Sequence, residues 1–109
     1  MAAPQERPER FLVYSTAGPQ RDLAKDAREQ LWWDDHAAFI DGLVAEGFIQ
    51  LGGPLDDEGG GFLIVVAQNE VEARERLRHD PWYAHGILSL VWVKRWRIFI
   101  DTWGATSGA

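Results

Sequence analysis

Three histidines, His36, His79 and His85, are the residues of this 109-residue chain suited to moving a proton near neutral pH. Only His36 is placed informatively. On a wheel of 100° per residue, Trp32, Trp33, Phe39, Ile40, Leu43 and Val44 form the apolar stripe of a helix. His36 stands four residues after Trp32 and four before Ile40, in the middle of that stripe. An imidazole there faces a sheet or a pocket, and a buried ring needs a hydrogen-bond partner. Either a backbone carbonyl satisfies it, as in an ordinary core histidine, or a carboxylate does. Asp34 and Asp35 project elsewhere, because side chains one or two residues apart on a helix do not face each other. Asp80 is better placed: it precedes Pro81 at the end of a second helix, and two helices lying side by side would bring it to His36. Asp80-Pro81 also reads as the N-cap and first residue of a short helix over 82–85. The two roles are compatible, since one carboxylate can accept from an amide and an imidazole together.

Other constellations carry less. Gly52-Gly53-Pro54 lacks the pattern of a phosphate loop and reads first as a strand end with a tight turn. Gly59-Gly60-Gly61 reads as a hairpin tip. His79 and His85 near Asp80 match no zinc spacing. Arg74, Arg76 and Arg78 read as a solvated helix face, and Lys94, Arg95 and Arg97 as strand residues whose stems lie along Trp92 and Trp96. No Gly-x-Ser-x-Gly nucleophile elbow is present.

Composition narrows the classes further. The chain has no Cys, which excludes disulfides, thiolate metal sites and a Cys nucleophile, and which fits a reducing compartment. A net charge of -6 argues against a nucleic-acid partner. The longest apolar run, Phe62 to Ala67, is far too short for a membrane span, and the polar start has no signal-peptide core. The expectation is one soluble cytoplasmic domain over 10–101, with flexible tails at 1–9 and 102–109. Six Trp are the unusual load.

The elements that must position His36 and Asp80 follow from pattern. Arg10–Ser15 reads as a strand, and Gln20 to about Glu46 as helical over most of its length, ended by Gly47. Phe48–Leu51 and Phe62–Ala67 read as a hairpin across a polar turn. Asn69 caps the next helix with Glu72 three residues on, and that helix runs to Asp80. Trp82–Gly86 is a short helical turn, and Leu88–Ile100 a long strand. The order β-α-β-β-α-β specifies an α+β, ferredoxin-like fold: a four-stranded antiparallel sheet with two helices on one face. Neither alternation of the last strand is cleanly polar over its first half, so the second sheet face is also expected to be buried, most simply by a second copy of the chain.

Asp35-His36-Ala37, Gly52-Gly53-Pro54-Leu55, Asp80-Pro81-Trp82 and Val91-Trp92-Val93-Lys94, in that order across 10–101, resemble the YCII-related (YciI-like) family. The resemblance implies a dimeric α+β barrel, with protomers pairing sheet to sheet as a homodimer or a higher oligomer. It also implies an acid–base dyad of His36 and Asp80, with Asp80 orienting the imidazole. The sequence departs from the family pattern in a longer approach to the first helix, Arg21 to Arg28, and in its heavier aromatic load. The function so implied is proton transfer without cofactor or metal on a small cyclic or aromatic molecule: isomerisation, elimination or hydrolysis. Gly53 and Pro54 would give close backbone approach to the substrate, and Trp32 or Trp92 an apolar wall. The alternatives are a non-catalytic dimeric module that binds a small ligand, and a haem- or metal-binding relative using His36 or His85.

Overall fold

A computed structural model of the chain describes residues 8–56 and 58–102. Residues 1–7 and 103–109 of the expected tails, Trp103 among them, lie outside the described residues. The elements are β1 (Glu9–Ala17), α1 (Trp33–Ala45), β2 (Ile49–Pro54), β3 (Gly61–Ala67), α2 (Glu70–Leu77), α3 (Pro81–Ala84) and β4 (Leu88–Arg95). The strands form one antiparallel sheet in the order β2-β3-β1-β4. This is the ferredoxin-like α+β arrangement. Among the described residues no helix is long and apolar enough to cross a membrane.

One sheet face meets the helices. Phe11, Val13, Val65 and Val93 from the strands are buried in one cluster with Leu43 of α1 and Ala73 and Leu77 of α2. Residues opposite one another in antiparallel strands share a face. The pairs Leu12–Ile64, Tyr14–Phe62 and Tyr14–Trp92 therefore crowd the other face, which no helix covers. The rings of Tyr14, Phe62 and Trp92 meet there at centroid distances of 5.0 to 6.0 Å.

The mixed pattern of the last strand has a local cause. Tyr14 pairs with Trp92, but the next residue, Ser15, pairs with Leu90, so Val91 is an extra residue bulged out of β4. The bulge reverses the alternation. Val93 and Leu90 both reach the helix side, although their spacing would place them on opposite faces of a regular strand. β4 also stops at Arg95 rather than the expected Ile100. Its partner β1 begins at Glu9, and the bond from Trp96 N–H to the Arg10 carbonyl lies at the end of the strand's neighbour.

The largest correction concerns residues 20–32, which are not helical apart from a single 3-10 turn at Ala27–Glu29. Good helix formers there lose to side chains that satisfy the backbone locally. Asp26 caps the turn in a reciprocal capping box with Glu29. Gln30, buried, accepts from the Asp22 amide at 2.9 Å and donates to the Asp22 and Lys25 carbonyls at 2.7 and 3.0 Å. Trp32 then adopts a left-handed conformation, φ 68°, which no helix interior tolerates, and α1 starts at the next residue. Gly18 ties the start of this loop to the turn before β4: its amide donates to the Ile87 carbonyl at 2.8 Å, and a Cβ there would lie 2.2 Å from the Gly86 oxygen.

The other signals hold with shifts of a few residues. Gly47, at φ 81°, ends α1 as expected, with its own amide bonded to Val44 and that of Phe48 bonded to Leu43. Asn69 accepts from the Glu72 amide at 2.8 Å, while the Glu72 carboxylate takes the Gln68 amide, one residue before the cap. α2 ends at Leu77, three residues short of Asp80, and α3 begins at Pro81.

Candidate active site

Asp80 lies in the link between α2 and α3. As N-cap of α3 it accepts the Trp82 amide on Oδ1 at 2.9 Å, and Pro81 fills the first helical position, where an amide would have no partner. The carboxylate is only 1% exposed. Burial of an acid is costly unless its oxygens are met. Both of them are met by one atom, Nδ1 of His36, at 2.9 and 2.8 Å. His36 reaches it from the first turn of α1, 44 residues away in the chain. A carboxylate only accepts, so in the neutral imidazole the proton sits on Nδ1 and the lone pair on Nε2. Nε2 has no partner among the described residues and is not sealed from solvent. The carboxylate alternative for the partner of His36, rather than a backbone carbonyl, is the one observed.

Aromatic rings fix the imidazole in plane. Trp82 lies flat against it, with centroids 3.7 Å apart and planes 4° from parallel. Trp33 closes on both rings, tilted, at 5.8 Å from His36 and 5.7 Å from Trp82. The Trp82 indole is itself held, its N–H donating to the Leu31 carbonyl at 2.9 Å. Trp32 turns the other way and stacks on His85, 3.9 Å between centroids. Trp82 and Trp33 are thus the rings at His36. Their spacing signalled this: Trp33 is three residues before the histidine on its helix, and Trp82 is two after Asp80.

Tyr83, next in the chain, hydrogen-bonds through its hydroxyl to Ser15 Oγ of β1. Its phenol is pushed up from 10.0 to about 12 by burial; the bond to Ser15 pulls it down, and the charge of Asp80 adds to the rise. The native state therefore holds Tyr83 neutral more firmly than the unfolded chain does. The stability this gives is complete below pH 10 and is lost as pH climbs toward 12. The free energy of unfolding from urea titrations is expected to fall across that interval, and to fall less steeply in Tyr83→Phe.

The remaining expected site residues lie apart from His36 within one chain. Gly53 and Pro54 end β2, opposite Phe62 and Gly61. They line a groove of about 440 Å³ with Leu12, Leu51, Ile64 and Trp96. Trp92 stands on the uncovered sheet face, with the Lys94 ammonium 5.1 Å from its ring centre. Among the described residues no group of three or more His, Asp or Glu is arranged to hold a metal ion. Arg74 and Arg78 pair with Glu70 and Glu75 at 2.8 Å, and Arg76 bonds Glu46 of the other helix, so the basic face of α2 is ion-paired.

A family model for the YCII-related domain matches residues 10–97, most of the chain. The chain belongs to the YCII-related family. This YCII-related protein is 35% identical over 63 residues to the uncharacterized protein YjpA of Bacillus subtilis (strain 168), covering 58% of this chain and 73% of YjpA. Its fold is similar to that of 5-chloro-2-hydroxyhydroquinone dehydrochlorinase (TftG) from Burkholderia phenoliruptrix AC1100, with a TM-score of 0.57 and 28% identity. That match covers 81% of this chain and 93% of TftG, whose structure holds 2,5-dihydroxybenzoquinone.

Proposed function

We propose that this YCII-related protein is a small-molecule enzyme in which His36, held by Asp80, transfers a proton on a small hydroxylated ring. The observation that carries the reading is the double approach of the buried Asp80 carboxylate to Nδ1, which leaves Nε2 as a base in a fixed orientation. Nε2 takes a proton from a ring hydroxyl, and Asp80 stabilises the imidazolium that forms. The electron pair left on oxygen moves into the ring. Returning the proton to a ring carbon completes an isomerisation. Where that carbon bears a halide, loss of the proton from a second ring hydroxyl lets its electron pair form a second C=O while the halide departs with its bonding electrons, which completes an elimination. Similarity to a dehydrochlorinase, whose name describes loss of hydrogen chloride, favours elimination.

The working unit is proposed to be a homodimer in the cytoplasm. The apolar face bearing Leu12, Tyr14, Phe62, Ile64 and Trp92 supports pairing sheet to sheet, and the absence of Cys fits a reducing compartment. A second reading, a non-catalytic carrier, draws on the groove at Gly53, Pro54 and Trp96, whose lining has no titratable side chain. A panel of halogenated hydroquinones and hydroxyhydroquinones separates the two. Catalysis predicts chloride release, read with an ion-selective electrode, together with the absorbance of a quinone product. Release no faster than in buffer, with ligand binding intact, selects the carrier.

A further inference from the structure

Arg21 shares the Trp82 ring with His36 and has no carboxylate partner among the described residues. Its guanidinium carbon is 5.8 Å from the centre of the Trp82 ring, the ring against which His36 is stacked. One terminal nitrogen reaches the Gly59 carbonyl at 3.4 Å, a long hydrogen bond. Nε is buried and has no acceptor. Three described carboxylates close to it in the chain or beside its contacts are engaged elsewhere. Asp22 accepts the Ala24 amide and faces Lys25, Glu58 accepts from the Tyr14 hydroxyl, and Asp80 holds His36. Arg74, Arg76, Arg78 and Arg95 each have a Glu partner, Arg10 bonds Gln50, and Arg28 and Arg97 are exposed, in a chain with 17 Asp and Glu. A half-buried guanidinium with no carboxylate partner among the described residues is costly to the free state, and the cost is offset where a ligand brings the acceptor.

We infer that Arg21 anchors an anionic oxygen of the substrate, a carboxylate or an ionised ring hydroxyl, while the ring is presented to His36. The inference deepens the proton-transfer reading and rests on it for the location of the site. The guanidinium fork suits planar carboxylates and oxyanions. If the anchored oxygen is the one from which Nε2 removes the proton, the same contact would strengthen as the reaction proceeds. Arg21 belongs to the loop that departs from the family pattern, which makes anion preference a property of this chain's approach to α1.

Calorimetric binding tests this without turnover. The probes are 2,5-dihydroxybenzoate against its neutral amide, and 4-nitrophenol measured as phenolate and as phenol. The wild type is expected to bind at least one anion about ten-fold or more tightly than its neutral counterpart. Arg21→Gln brings the two within about two-fold, and Arg21→Lys, which keeps the charge, retains part of the preference. The benzoate arm alone identifies a carboxylate as the anchored group, the phenolate arm an ionised hydroxyl. His36→Asn keeps the preference, so loss of catalysis and loss of anchoring are distinguished. An anion preference that survives in Arg21→Gln overturns the inference. So does a wild type with no preference, including one that binds none of the probes.

Discussion

His36→Asn is expected to lower turnover by about 10²–10⁴-fold while the chain stays folded. The choice of Asn matters. Its side-chain amide nitrogen occupies the position of Nδ1 and can still donate to Asp80, so the buried carboxylate keeps a partner. What disappears is Nε2, the atom assigned as base. His36→Ala would instead strand a carboxylate that is 1% exposed, and a buried charge without its partner costs about 3–5 kcal/mol. Alanine thus mixes loss of chemistry with loss of fold, whereas asparagine separates them. The lost stack on Trp82 leaves a moderate stability deficit in either variant. Circular dichroism and urea titration should show a native chain. Chloride release from an active halogenated substrate, compared between the two proteins, gives the rate ratio. Equal rates would remove His36 from the mechanism.

Asp80 gives a second large effect, and its two variants should part company. Asp80→Asn preserves the oxygen that accepts the Trp82 amide, and Asn is as good an N-cap as Asp, so stability should change little. Toward His36, however, it presents a donor if its oxygen stays on the cap. The imidazole must then carry its proton on Nε2 and cannot act as a base there. Turnover is expected to fall by about 10⁴-fold. Asp80→Ala removes the cap, worth about 1 kcal/mol, and leaves the Nδ1–H without an acceptor, a further 1–3 kcal/mol or so. Urea titrations should therefore place Asp80→Ala about 2–4 kcal/mol below wild type and Asp80→Asn near it. Undiminished turnover in Asp80→Asn would reduce Asp80 to a helix cap.

Both residues were legible because each belongs to a short-range pattern. A histidine centred in an apolar helical stripe must be buried, and Asp-Pro after a helix must turn the chain. The fold then brings the two patterns together. What escaped was set by competition at longer or subtler range. Residues 20–32 are built of helix formers, yet one buried glutamine, Gln30, and the Asp26 cap hold them as a loop that delivers Arg21 to Trp82. Propensity counts the formers but not the side chain that replaces their hydrogen bonds. The length of β4 depended on where its neighbour begins, which no window on residues 88–100 contains. Gly53, Pro54 and Trp92 are expected at the substrate beside His36; within one chain Trp92 projects from the sheet face opposite the helices, a placement set by strand register rather than by any local pattern.

The bulged Val91 has a genetic corollary. Val91 is half-exposed and makes little of the core itself, so many side chains should be accepted at that site. Losing its codon altogether should be tolerated as well. Without Val91, Trp92 and Leu90 become neighbours opposite Tyr14 and Ser15, and the pleat closes into a regular strand that keeps Leu88 and Leu90 on the helix side and Ser89 on the other. Only the local bend of the bulge is given up, so natural variants of β4 should differ by loss of a residue here more readily than by loss of one from the regular stretch at Val93 and Lys94.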